Sequence, residues 1–456
     1  MANASSAPIP LPTGQAAVAA AATGVQWATE AEVARAIAIW LRPAYLLILF
    51  VVGWALDVET FNRQKLDYAT VLGLSRDELR EPRFWICVAV ALGCMLAAVH
   101  AVILRHGSAP DILWAPATVY LLLLMGLVFP LPRALERRLG AWRKPLRLTL
   151  WRCFWPAWRE TSFLEVIIAD GLTSLAKSFY DLGLSACVAC RTSGSPWALA
   201  VSLFTGALDL RTLSTDMASS GAFSESGSPM KAVPAVTRLR TGKTLQLASE
   251  ECSKSVVPYL LWTVPALIRA RQCIMSARFA ATDQARSQHY ANLAKYMSAL
   301  PPMLFIFCVA HAGPSSWPLD VDDFETLWAF ASICNAVFSV MWDLVFDWGL
   351  LHPSPCVSKI GILTGLRPTL LLRPAIPVYH CAVTLNLVGR TLWSLRWSQQ
   401  CAVVGGLFCS NVQAISEVLR RCLWNVLRVE WQLIKCELHS VKHELHADRS
   451  RAPVPV

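Results

Sequence analysis

The chain has 456 residues, 55% of them hydrophobic and only 16% charged, with a formal net charge of +10. Water-soluble domains carry about 25% charged residues, so composition excludes a soluble globular protein. The apolar residues come in long unbroken runs; a membrane β-barrel would instead show alternation in segments of about ten residues. What remains is an all-α polytopic membrane protein. The basic excess reads either as cytoplasmic loops obeying the positive-inside bias or as attraction of an anionic substrate, and composition does not separate the two.

Residues 1–40 are rich in Ala, Ser and Pro and read as a flexible tail. They lack a basic segment followed by an apolar core and a cleavage site, so the first span is expected to act as the targeting signal. Candidate spans follow at about 41–58, 84–105, 111–131, 163–190, 256–275, 294–311, 325–350, 376–397 and 402–428, each near the length that crosses roughly 30 Å of hydrocarbon. The basic, aromatic stretch "LRLTLWRCFWPAW" (146–158) is either a tenth span or an amphipathic helix lying in the interface. Ten is the preferred count, within a range of nine to ten. Between 192 and 255 the sequence "LSTDMASSGAFSESGSPMK" marks a Ser- and Gly-rich loop.

Orientation follows from Lys and Arg. The stretch 269–286 holds Arg269, Arg271, Arg278 and Arg286, and 359–373 holds Lys359, Arg367 and Arg373, whereas 312–324 has no basic residue. The first two regions are therefore expected in the cytoplasm and the third on the far side. With ten spans the N-terminal side is cytoplasmic; with nine it is not. The fifteen cysteines are scattered through apolar runs and read as small buried hydrophobes. Cys187 and Cys190 form a CxxC with no second pair at zinc spacing. Neither a metal site nor a disulfide framework is expected.

Four candidate spans carry polar stripes at helical spacing. One has Asp170, Thr173, Ser174, Lys177 and Asp181; a second has Ser332, Asn335, Ser339, Asp343 and Asp347. A third has Asn386, Arg390, Trp393 and Trp397, and the last has Ser410, Gln413, Glu417, Arg420, Arg421, Trp424 and Arg428. The pair Lys295–Tyr296 stands just before the sixth span. A charge within a span costs about 2.5–3.5 kcal/mol even on the lenient insertion scale, so such residues face a bundle interior or a water-filled path. Lys295, Arg390, Arg420 and Arg421 stand against Asp170, Asp343, Asp347 and Glu417 in one polar cavity. Guanidinium forks match tetrahedral oxyanions, so the cavity suits an anion, with the acids as counter-ions. The bland alternative is interhelical glue, which is the better reading for Ser332, Ser339, Ser410 and Gln413 alone. Lys177 and Asp181 read equally as a structural pair near a helix end, and Arg396 and Arg428 as interfacial anchors.

The motifs "IADGLTSLAKSF", "PALIRARQCIMSARF", "HYANLAKY", "FSVMWDLVFDWGLL" and "SEVLRRCLWNVLRVEW" resemble the EXS-domain family of membrane proteins over roughly 160–440. Only about 40 residues precede the first span, so the resemblance is to the short branch without an SPX domain, the ER-retention-defective type of Golgi protein. It implies a six-helix EXS bundle and transport of inorganic phosphate out of the Golgi lumen, where glycosylation releases it, with an effect on retention of Golgi glycosyltransferases. On this reading 41–158 are N-terminal transmembrane helices, 159–430 the transport domain and 431–456 a cytosolic tail. The resemblance puts phosphate contacts on Lys295, Tyr296, Arg390, Arg420 and Arg421. It puts Asp170, Thr173, Asp343, Asp347, Trp393 and Glu417 along the same path. Thr173 stands where the longer exporters of the family have Asn. The implied partners are phosphate, membrane lipids and Golgi glycosyltransferases or their sorting factors; no nucleic acid and no cofactor are expected, and homodimer formation stays open.

Three rival readings remain. A non-transporting trafficking factor would use the tail "CELHSVKHELHADRSRAPVPV", where His439, His443 and His446 have helical spacing. Its "HELH" is not HExxH, so a zinc hydrolase is not indicated. An enzyme lacks support, since no nucleophile elbow, P-loop or metal-ligand set is found. A phosphate exporter of the plasma membrane or another endomembrane is the third.

Overall fold

The computed structural model describes residues 14–75, 78–106, 119–120, 123, 125–126, 129, 133–155, 159–192, 251–311, 321–351, 366–367, 369–398, 401 and 406–451. Among these, everything beyond turns is helical and no strand occurs. The expected loop centre (193–250) and most of the span at 111–131 lie outside the described residues.

The helices are α1 (Gly14–Arg63), α2 (Tyr68–Leu72), α3 (Pro82–His106), α4 (Arg133–Phe154), α5 (Phe163–Ser174) and α6 (Ala176–Thr192). They continue as α7 (Val256–Arg278), α8 (Asp283–Met297), α9 (Leu300–His311), α10 (Val321–Trp342), α11 (Ala375–Thr391) and α12 (Gly406–Arg451). Local chemistry sets several ends. Ser162 caps α5 by accepting from Glu165 N, and its hydroxyl donates to the Glu165 carboxylate, so the two residues act as a capping pair. Thr282 caps α8 and Ser255 caps α7 in the same way. The break between α8 and α9 precedes Pro301 and Pro302, which fit only the first turn of a helix. Residues 14–40, expected as a tail, begin α1 instead.

Among the described residues, four stretches are long and apolar enough to cross a membrane: Ile39–Arg63, Pro82–Ala101, Asp283–Val309 and Asp322–Asp347. The other expected spans that the structure describes are shorter, broken or charge-bearing. They bury their polar stripes against one another, with α7 packed between α6 and α8 and α12 against α1 and α11.

Helix α1 runs parallel to α12. Arg42 meets Ser410, Asp57 meets Asn425, and a Cβ on Gly53 would fall 2.0 Å from Cys422 Sγ, so only glycine permits that approach. Beyond α1, the Gln64 side-chain amide exchanges two hydrogen bonds with the Arg373 backbone, in one of the two basic stretches. The Arg63 end of α1 thus lies beside that stretch and the Trp40 end away from it. Helix α4 lies near the same end. Its Trp142 stacks edge-on against Trp85 in the first turn of α3, and its last carbonyls, those of Arg152 and Cys153, accept from Arg271 of α7. Both contacts lie at the end of the bundle that carries the basic stretches. Leu148, Trp151, Phe154 and Trp155 point outward from it, as an interfacial helix requires.

Two disulfides overturn the expectation of none: Cys187–Cys252 and Cys401–Cys409. Their partners are 65 and 8 residues apart, a spacing with no sequence signature, and Cys190 of the CxxC takes part in neither bond. Cys187 lies near the C-terminal end of α6 and Cys409 in the first turn of α12.

Candidate functional site

Helices α5, α8, α10, α11 and α12 converge on a cavity of about 130 Å³. Thr173, Lys295, Tyr296, Asp343, Arg390, Glu417, Arg420 and Arg421 line it, with Asn335 and Ser339. Eight residues that the sequence singled out for the site thus meet at one place. Three others flank it. Asp170 lies behind Tyr296, which donates to it at 2.6 Å; Asp347 lies behind Lys295 at 3.5 Å. Trp393 lines a wider neighbouring chamber of about 480 Å³.

The local backbone explains how two acids four apart serve one site. Helix α10 ends at Trp342 and residues Asp343–Asp347 form a single π turn, a wide turn that recurs at functional sites. It was not foreseen; a regular helix to 350 was expected. The chain leaves it through Gly349 at φ +59, where a Cβ would lie 2.3 Å from the Trp431 ring. Glycine alone permits both that conformation and that approach.

Asp343 is the hub of the cationic side. Its carboxylate takes hydrogen bonds from Arg390 (3.1 Å), Asn386 (3.2 Å) and Trp424 Nε1 (3.2 Å), and Arg420 lies 3.8 Å away. Glu417 accepts from Arg420 through both oxygens, at 2.7 and 3.4 Å. Arg421 bonds only hydroxyls, Ser174 at 2.9 Å and Thr173 at 3.2 Å, and stacks on Trp424. Among the described residues no carboxylate lies within ion-pair distance of it.

Sequence reasoning missed three participants. Arg269, counted among loop cations, is buried and pairs with Asp170 at 2.9 Å. Arg428, read as an interfacial anchor, instead reaches Asp347 (3.8 Å) and stacks on Phe163. Arg42 went unremarked; it holds Asp181 at 2.7 Å together with Ser410 and Asn411, while Lys177 stands 3.8 Å from the same carboxylate. Arg269 was the most findable, lying one turn before Cys273 on an apolar helix face. The side chains of Arg396, His439, His443 and His446 lie outside the described residues.

Buried charges of both signs around a cavity in a helical bundle define a polytopic membrane protein with a polar interior. The chain belongs to the EXS family, which it matches over residues 37–434, so the family region begins within α1 and not near 160. Among curated proteins it is similar to Solute carrier family 53 member 1 of Mus pahari, 29% identical over 172 residues (37% of this chain, 23% of that one). Phosphate transporter PHO1 of Arabidopsis thaliana is 30% identical over 177 residues (38% and 20%). Protein SYG1 homolog of Schizosaccharomyces pombe is 28% identical over 192 residues (41% and 25%). The chain thus spans at most a quarter of the length of these relatives.

Proposed function

We propose that the chain carries inorganic phosphate across a Golgi membrane, from lumen to cytosol, recycling the phosphate that glycosylation releases and so supporting retention of Golgi glycosyltransferases. The observation that carries the reading is Arg421. A buried guanidinium without a carboxylate partner is costly, and a tetrahedral oxyanion in the cavity would supply the missing charge in bidentate geometry. Lys295, Arg390 and Arg420 add charge, and their carboxylates keep them in place. Tyr296 and Thr173 supply hydroxyls at the cavity wall.

Two further features support the reading. One relative is named a phosphate transporter. The wider chamber reaches Ser410, next to the disulfide-bonded Cys409, and disulfides persist in oxidising compartments such as a secretory lumen. The test is flux of labelled phosphate in proteoliposomes of the purified protein. Flux above that of empty liposomes under an imposed gradient supports the reading, and flux equal to theirs under every gradient ends it. Tagged protein in the Golgi, with lumenal phosphate rising when the protein is removed, tests the compartment separately.

A further inference from the structure

Asp57 takes no part in the site just described, yet it is only 3% exposed, in the second-last turn of α1. It faces α12, which presents Asn425 and the Cys422 thiol to it. Asn425 Nδ2 donates to Asp57 at 3.0 Å. Among the described residues, no Lys, Arg or His of α3, α6 or α12 comes within ion-pair distance of this carboxyl. An ionised carboxylate held by one neutral amide in an apolar seam is a costly state, whereas a protonated one is not. A second observation points the same way. The other amide atom, Asn425 Oδ1, is buried with no hydrogen-bond partner. A protonated Asp57 places a hydroxyl donor beside that acceptor; an ionised one offers it nothing.

We propose that Asp57 and Asn425 form a proton-binding site that controls Arg421. Arg421 lies one helical turn before Asn425 on α12, within neighbour distance along the helix. When Asp57 is neutral, Arg421 faces the cavity through Ser174 and Thr173. When Asp57 loses its proton, to water, the new charge in the α1–α12 seam draws Arg421 away from the anion. Phosphate in the cavity and the proton on Asp57 therefore favour each other, and by linkage each strengthens the other's binding equally. The ligand is a proton, and the coupling rests on the phosphate reading above.

Asp57→Asn is the test, because an amide keeps the neutral, hydrogen-bonded pair. Phosphate flux of wild type and variant is compared across pH, so that the titration of phosphate itself cancels in the ratio. Below the titration of Asp57 the variant and wild type should match. As pH rises through it, wild-type flux should fall and the variant should not, so the ratio of variant to wild type climbs. A ratio constant across pH overturns the coupling. Infrared difference spectra of wild type minus variant at neutral pH give a readout independent of transport. A protonated carboxylic acid C=O band supports the site, and a carboxylate signal alone overturns it. Should wild type pass no phosphate at all, the transport reading falls while the infrared band still decides the protonation of Asp57.

Discussion

The two halves of the path are built differently. Toward the disulfide side, the wide chamber is walled mostly by neutral groups, among them Trp328, Trp393, Ser332, Gln413 and Ser410, with Trp328, Trp393 and Trp397 packed edge-on. Toward the cytoplasm, charges bind each other. Lys295 and Arg428 converge on Asp347. Beneath them Arg367 pairs with Glu430 at 2.7 Å and donates to the Trp348 carbonyl, and Tyr379 donates to the same Glu430. Leu366 and Leu372 enter the core there with Trp348, Trp424 and Leu427. On the proposed transport reading, opening the second half needs these buried ion pairs to part, which makes it the seal.

The comparison breaks most severely at its shared hub. Asp343→Ala removes the carboxylate from Arg390 and Arg420 together, a loss of about 3–5 kcal/mol where the site is dry. Folded protein should drop sharply in detergent melts. Asp343→Asn keeps one acceptor oxygen, enough for Asn386 or Trp424 but not both, so it should melt between Asp343→Ala and wild type while passing much less phosphate. Next comes the seal itself. Arg367→Ala leaves Glu430 buried with only Tyr379 and the Leu371 amide, costing about 3 kcal/mol. It should also let a membrane-impermeant thiol reagent reach a cysteine placed at Ser339 from the cytoplasmic side, which wild type should resist. Arg421→Lys keeps the charge but loses the planar fork. Phosphate should bind roughly tenfold more weakly, about 1.4 kcal/mol, with little change in melting. The smallest effect belongs to Glu417→Gln. One of two hydrogen bonds to Arg420 survives, so the loss is about 1 kcal/mol, read as a several-fold fall in flux with folded protein retained.

Much of the site was visible in the sequence because helical periodicity is a local property. Arg390, Asn386, Asp343, Glu417 and Arg420 each repeat at spacings that select one face, and in a membrane span a charged face has few places to go. What the sequence hid depends on contacts between distant segments. The π turn at Asp343–Asp347 re-aims Asp347 toward Arg428 of α12, which made an apparent anchor into a counter-ion. The position of α4 is set by contacts to Arg271 and Trp85, distant partners that its basic, aromatic composition does not reveal. Cysteines 65 residues apart have no pairing rule in sequence. Asp57 was passed over because a single acid makes no stripe; its meaning comes from Asn425 across the α1–α12 seam.

The central claim is that the cavity around Arg421 holds phosphate. Thermal melts of the purified protein titrated with phosphate test it most directly, since a ligand at free concentration L that binds only the folded state stabilises it by RT ln(1 + L/Kd). The account predicts stabilisation of wild type that grows with the logarithm of phosphate concentration above Kd, weakened in Arg421→Lys and abolished in Arg421→Ala. Stabilisation absent from wild type, or undiminished in Arg421→Ala, would contradict it.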